Sequence, residues 1–344
     1  MKSKLPIYLL LLLSMQVAAG QDIHFSQYNE SPLQLNPALT GVIRNPVRVC
    51  LNYRNQWPTI GNAYNTIAAS VDLPLSDNGN NRRPKPYLGG GFSIFRDQAG
   101  EAKLGTTVGA LSFAGVVPFS ENHKASIGLQ GGFGQRSGDI DNLKWGSQFV
   151  NGAYSSDNSS GELNNLSSPA YADISTGFYY QFSNVAERFL QEDVIKVTAG
   201  FAMYHVNKPT VSYAGLTKQR LEKKNVWMLG GQYDFPGSKY ALLPSFVYWK
   251  QGVYSEAIFG MLFKIRIAEA SKFTGLNEQS SFAIGASYRT KDAMIFEAHY
   301  QVKSYTFGFS YDANVSKLVA ASKSVGAAEV ALKYAPGRKT FKGK

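Results

Sequence analysis

The residue types that could do chemistry are few and scattered. His205 stands beside Asn207-Lys208-Pro209, and His299 shares a period-two face with Glu297. A histidine and a carboxylate within reach of each other could serve general acid–base chemistry. A histidine at a strand end, however, reads as a structural or binding residue, and His299 with Glu297 reads as part of a polar wall. The chain contains no G-x-S-x-G elbow, no H-E-x-x-H pair and no Walker loop. Gly89-Gly90-Gly91 could suggest a phosphate loop, but no helix start follows it, and the phosphate logic needs one. Four histidines without clustered cysteines or carboxylates argue against a metal site. Asn158-Ser159-Ser160 has the form of a glycosylation acceptor, a weak signal. Nothing here calls for a cofactor, and the expectation is a protein that is not an enzyme.

The elements that carry these residues are strands. Val47, Val49, Leu51 and Tyr53 fall on one face of a period-two pattern, opposite Arg48, Cys50, Asn52 and Arg54. Ile67, Ala69, Val71 and Leu73 similarly oppose Thr66, Ala68, Ser70 and Asp72. The spacing predicts fourteen strands, at 47–54, 64–73, 87–96, 105–117, 124–136, 171–181, 194–204, 225–234, 242–249, 254–265, 280–289, 293–301, 304–312 and 327–334. Most reach the roughly 9–11 residues that a tilted strand needs to cross a bilayer. Globular strands average about 5–6. The fold expected is therefore all-β, a transmembrane antiparallel outer-membrane barrel of about 14 strands.

The rest of the organisation fits export. Lys2 and Lys4 precede an apolar run, Ile7–Leu13, and then Ala18-Ala19-Gly20. This predicts a Sec-type signal peptide over residues 1–20, cleaved before Gln21, and a bacterial outer-membrane location. The formal charge then falls from +11 to +9, because Lys2 and Lys4 leave with the signal. Export and scattered basic residues exclude nucleic acid as the partner and leave a positive lumen or an anionic lipid surface. Cys50 is alone, so no disulfide forms within the chain.

Residues 21–46 form a lead-in segment whose Pro32, Pro37 and Pro46 rule out a long helix. It is expected at the periplasmic side or inside the lumen, helping to fill a narrow barrel over residues 47–334. Residues 335–344 form a basic tail outside the sheet. With the first strand starting in the periplasm, the long connections 137–170, 205–224 and 313–326 face outward, as in outer-membrane barrels. The first of these carries the polar run 155–161 and reads as mobile. Two inward turns, 182–193 and 266–279, are longer than that pattern favours.

Several segments resemble the PorP/SprF family. Asn36-Pro37-Ala38-Leu39-Thr40-Gly41 is similar to the family's Asn-Pro-Ala-x-x-Gly opening, and Arg54-Asn-Gln-Trp57-Pro58 to its first-hairpin motif. His205-Val-Asn207-Lys-Pro209 resembles its mid-chain signature. Tyr311-Asp312-Ala-Asn-Val-Ser316-Lys317 and the closing strand with Glu329 resemble its C-terminal strands. Here Ala328 stands where the family usually has a histidine, and ten residues follow Tyr334.

The resemblance implies a component of the type IX secretion and gliding machinery. Such a protein docks or anchors cargo with C-terminal sorting domains and links to periplasmic ring and peptidoglycan-binding subunits, in contact with outer-membrane lipid. The alternatives are a passive porin or small-solute channel and, behind it, an outer-membrane lipid-modifying enzyme. The candidate partner-binding or structural residues are Asn36, Pro37, Trp57, His205, Asn207, Pro209, Tyr311, Asp312, Ser316, Lys317 and Glu329.

Overall fold

The computed structural model describes residues 22–60, 63–76, 85–139, 143–150, 152–161, 170–187, 192–211, 219–268, 280–316 and 319–337. The expected leader over 1–20, Lys317 and the last seven residues of the tail lie outside these.

Alternation of apolar and polar residues produces long antiparallel strands because each strand meets lipid on one face and the lumen on the other. The first five are β1 (Arg48–Gln56), β2 (Tyr64–Pro74), β3 (Tyr87–Ala99), β4 (Leu104–Pro118) and β5 (His123–Ser137). A small hairpin, β6 (Phe149–Val150) and β7 (Ala153–Tyr154), precedes β8 (Tyr171–Glu187) and β9 (Glu192–Tyr204). A second hairpin, β10 (Thr210–Val211) and β11 (Gln219–Arg220), precedes β12 (Lys224–Asp234), β13 (Tyr240–Gln251) and β14 (Tyr254–Ala268). The chain closes with β15 (Ser280–Arg289), β16 (Ala293–Val302), β17 (Tyr305–Asn314) and β18 (Val325–Tyr334).

Fourteen of these strands form one closed barrel, with β6–β7 and β10–β11 standing apart. Each of the fourteen predicted strands appears. The seam joins β1 to β18 antiparallel, pairing Val49 with Tyr334 and Arg54 with Glu329. Closure removes the free edge that a sheet would otherwise offer. Among the described residues no helix is long and apolar enough to span a membrane.

The outer wall is apolar. Phe133, Ile127, Leu129 and Leu88 are between 60% and 71% exposed, and many other large apolar side chains also point outward. That much exposed hydrocarbon on a closed sheet is a lipid-facing surface. Leu51 and Tyr53 face out while Cys50, Asn52 and Arg54 are buried, as the alternation in β1 predicts.

Strand register corrects one expectation. The turn expected over 182–193 is shorter than that, because β8 and β9 continue pairing as far as Glu187 with Glu192. The added residues mix apolar and polar types without the long alternation of the wall, and backbone pairing, which leaves no trace in hydropathy, continues through them. β14 likewise runs to Ala268, and the remaining 269–279 lie outside the described residues. The long connections after β5, β9 and β17 share one end of the barrel, here called the outer end by the usual loop asymmetry. Within the first of them, Trp145 N–H donates to Gln148 Oε1 at 3.0 Å and Gln148 Nε2 donates to Asn158 O at 3.2 Å. The described part of this loop, expected to be mobile, is thus braced by its own hydrogen bonds.

Residues 22–42 run through the barrel. Pro32 starts a single helical turn, Pro32–Leu35, and Pro37 starts a 3-10 turn, Pro37–Leu39. Proline suits both places because a turn's first N–H has no internal partner. Asn36 caps the second turn, its Oδ1 accepting from Ala38 N–H at 2.9 Å. Tyr28, Leu35, Ala38 and Leu39 pack with Tyr179, Tyr204, Val226, Met228 and Trp249 into an apolar cluster inside an otherwise polar lumen.

The backbone of this segment sits directly on the barrel wall. Gly128 on β5 pairs with Gly177 on β8. A Cβ on Gly128 would strike the Pro37 carbonyl, and one on Gly177 would strike Asn36 Oδ1. The glycine pair is therefore a seat for Asn36-Pro37, and no larger residue fits there. Gly177→Leu is expected to keep the barrel but unseat residues 22–42. Heat-modifiable migration should be retained, and ion conductance in planar bilayers should rise several-fold over the native protein. Unchanged conductance would show that the seat does not hold the segment.

Candidate functional site

The densest polar constellation in the lumen is built to hold residues 22–42. Glu329 on β18 accepts the backbone N–H groups of Ser26 at 2.6 Å and Gln27 at 2.9 Å. It is ion-paired with Arg54 on β1, and this pair bridges the barrel seam. Arg54 also reaches Asp312 on β17 at 3.2 Å. Arg289 on β15 meets Asp312 at 2.9 Å and Asp292 at 3.1 Å. The Ser26 hydroxyl stands 2.8 Å from Asp312 and 2.7 Å from Arg54. Arg54, Arg289, Asp312 and Glu329 are each at most 2% exposed. Buried ions of this kind are tolerated only when paired and hydrogen-bonded, so the cluster fixes geometry more than it adds net stability.

A second clamp lies at the outer end. His205 follows β9 in a left-handed conformation, with φ of 56°. One ring nitrogen lies 2.9 Å from Asp173 on β8 and the other 2.6 Å from Asp22. Asp22 also receives Lys224 at 3.9 Å, and its N–H donates to Gln251 at 3.0 Å. Burial alone would lift the Asp22 carboxyl, but His205 and Lys224 hold it well below the usual carboxylate range. Burial alone would likewise discharge the imidazole, yet the two carboxylates raise its pKa to about 9. His205 is thus an imidazolium donating from both nitrogens. This arrangement binds a chain segment and leaves no nitrogen free to act as a base.

A third set holds the segment at the inner end. Asp72 on β2 accepts from Arg48 at 2.9 and 2.8 Å and from Gly41 N–H at 2.7 Å. Ser126 donates to Ala38 O at 2.5 Å, and Asn36 Nδ2 donates to the carbonyls of Phe178 at 2.9 Å and Phe201 at 3.3 Å.

The candidate residues of the sequence divide accordingly. Asn36, Pro37, His205, Asp312 and Glu329 converge on the lead-in, from opposite ends of the chain. Asn207 and Pro209 brace the outer loop instead. Asn207 donates to Ala172 O at 2.8 Å and accepts from Ile174 N–H at 3.2 Å, while Pro209 O accepts from Leu221 N–H at 2.9 Å. Trp57, with φ of 56°, donates its N–H to Gly326 O at 2.7 Å and packs edge-on against Tyr64. Ser316 O accepts from Val319 N–H at 3.1 Å, starting the short turn before β18. Tyr311 is a wall residue paired with Phe296 and Ala328. These five make none of the clamp contacts described above.

The candidate residues of the sequence did not include Asp22, Ser26, Asp72, Asp173 and Arg289. Asp72 and Arg289 could be seen as charged residues on the inward face of apolar strands, and Asp22–Tyr28 and Tyr288-Arg289 fall in segments that resemble the family's opening and its C-terminal strands. His299 and Glu297, read as polar wall, stand 3.4 Å apart in the lumen, with Glu30 of the lead-in 3.7 Å from His299. Among the described residues no group of three or more His, Cys, Asp or Glu could hold a metal ion.

A closed, lipid-facing barrel with an internal segment clamped across its lumen defines an outer-membrane barrel protein whose polar centre is spent on its own chain. The family model for the type IX secretion system membrane protein PorP/SprF matches residues 17–334. The chain belongs to that family, and membership implies partnership with other secretion components.

Among solved structures, the chain is similar to the CymD monoaromatic hydrocarbon channel, with a TM-score of 0.43, 11% identity, and coverage of 90% of this chain and 93% of that one. It is similar to the β domain of the Bordetella autotransporter BrkA, with a TM-score of 0.41, 10% identity, and coverage of 86% and 100%. For CdiB from Acinetobacter baumannii the values are 0.37, 8%, 84% and 60%, so this chain spans less than two thirds of that protein. Likenesses this distant say nothing about function, and the barrel rests on its own strand pairing. Among curated proteins, none matches the chain.

Two outcomes test the clamps. Glu329→Gln should leave Arg54 underpaired and destabilise the seated segment by about 3–5 kcal/mol, the usual penalty for breaking a buried pair. Hydrogen exchange at Ser26 and Gln27 should then rise at least a hundredfold. The raised His205 pKa gives the outer clamp a pH window. Its contribution is complete below about pH 6.5 and is lost as pH rises through about 9. Iodide quenching of a fluorophore at Ile23→Cys should increase with a midpoint near pH 9, and His205→Gln should abolish that midpoint.

Proposed function

We propose that this protein is a non-enzymatic docking and anchoring element of the type IX secretion and gliding machinery. In this reading the chain is exported by a cleaved leader over residues 1–20 and inserted in the outer membrane. The outer loops 138–170 and 205–223 meet cargo bearing C-terminal sorting domains. The inner end meets periplasmic ring and peptidoglycan-binding subunits.

The observation that carries the reading is the occupied lumen. A channel keeps polar groups aimed at its passing solute. Here Arg54, Arg289, Asp312 and Glu329 are committed to one another and to Ser26–Gln27. That favours a scaffold over the porin alternative. The closed seam offers cargo no strand edge, which directs recognition to the loops. The His205–Asn207–Pro209 corner ties the base of one such loop to the clamp at Asp22, so loop and lead-in are mechanically joined.

Deleting the gene should remove one or a few proteins with C-terminal sorting domains from the quantitative surface and secreted proteome. A barrel lacking 145–165 should fold and reach the membrane yet fail to restore their display. An unchanged surface with reduced uptake of a small solute would instead establish a porin.

A further inference from the structure

The inner half of the lumen holds a cavity of about 380 Å³, within the ~300–1,000 Å³ range of sites that enclose ligands. Arg48, Lys196, Lys264 and Lys333 line it. A neighbouring cavity of about 230 Å³, lined by Arg44 and Lys124, shares Gln181 with it. Lys196 stands within electrostatic reach of Arg44, Arg48 and Lys333, and Lys124 within reach of Lys196, Arg44 and Arg48.

Some of this charge is matched. Arg48 is held by Asp72 and Lys333 by Glu30, at 2.8 Å each. Glu297 is shared between Ser287 and His299. Asp234, the carboxylate nearest Lys264 in effect, is bonded to Arg266. Glu121, in the smaller cavity, is exposed. Among the described residues, Arg44, Lys124, Lys196 and Lys264 make no ion pair. Lys124, Lys196 and Lys264 are half-buried and Arg44 is exposed at the rim. Like charges gathered this way repel one another, and an anion entering among them relieves that repulsion.

A second observation refines the ligand. Gln27 lines the larger cavity and is 2% exposed, and neither its amide oxygen nor its amide nitrogen has a hydrogen-bond partner. A buried, unsatisfied amide is costly, and it asks for a donor and an acceptor together. A phosphate or an isolated carboxylate accepts only. A peptide bond supplies both an N–H and a C=O. Lipid head groups ring the outside of the wall, whereas this cavity lies within it.

We infer that the inner vestibule is a binding site for an acidic peptide segment of a periplasmic partner. Its carboxylates meet Lys196, Lys264, Lys124 and Arg44, and its backbone meets Gln27. The inference rests on the proposed scaffold reading for the identity of the compartment, and the binding itself requires no secretion. It gives the inner end a defined chemistry for linkage, one that weakens with salt.

The test uses the purified full-length barrel in detergent micelles and fluorescently labelled hexaglutamate, with hexaglutamine and inorganic pyrophosphate alongside. Hexaglutamate should bind, its affinity should fall at least tenfold in the Lys196→Gln/Lys264→Gln double variant, and Gln27→Leu should weaken it several-fold. Lys208→Gln, at the opposite end, should change nothing. Heat-modifiable migration establishes that each variant is folded. Pyrophosphate displacing the peptide at equal concentration would overturn the peptide assignment and leave a general anion site. Equal binding of hexaglutamine, or no binding of hexaglutamate to the native barrel, would overturn the site altogether. The proteome of the deletion strain is read separately, so either result can fail without the other.

Discussion

One carboxylate organises the interior. Glu329 takes the N–H groups of Ser26 and Gln27 while its charge is matched by Arg54 across the seam where the first strand meets the last. The same contact therefore closes the barrel and seats the segment inside it. A carboxylate buried in a lumen must find both a cation and donors. Arg54 supplies the first, and the backbone of the lead-in supplies the second. Asp312 and Arg289 extend this into a network whose carboxylates would lose the donors of Ser26 and Gln27 if residues 22–42 left.

The remaining contacts of the lead-in follow from that anchor. Ser26 sets the depth of the segment, so Asp22 arrives at the outer end, where His205 and Lys224 receive it. Asn36-Pro37 arrives at the wall where Gly128 and Gly177 pair. Gly41 arrives at Asp72, already bound to Arg48 near the start of the first strand. Each site is local and modest. Their spacing along one stretch of chain makes them additive, and this is how a segment with almost no regular structure acquires a single path through the barrel.

The strands were legible because lipid imposes alternation over long stretches, as in Leu51 and Tyr53 against Cys50, Asn52 and Arg54. Strand ends were less so. Toward a strand end the alternation stops while pairing continues, as from Phe182 to Glu187. The candidate site was legible only as separate words. Asn36, His205, Asp312 and Glu329 could be singled out one by one, but no spacing rule joins residue 36 to 177 or 54 to 329. Asp22, Ser26 and Asp173 gave no sign of their roles, because a lone polar residue beside apolar neighbours does not show which partner the fold will bring to it.

Local patterns along the chain specify the barrel: strand number, which side chains face lipid, which end carries long loops, and the presence of a proline-broken lead-in. These depend on local periodicity and turn chemistry, which act along the chain. The course of the lead-in through the lumen, the hold of Glu329 and His205 on it, and the lack of an ion pair for Lys196 and Lys264 among the described residues all come from the folded arrangement. Those facts depend on strand register and closure, which set what stands across the lumen from what. Register is a property of the whole sheet and leaves no mark in any one segment.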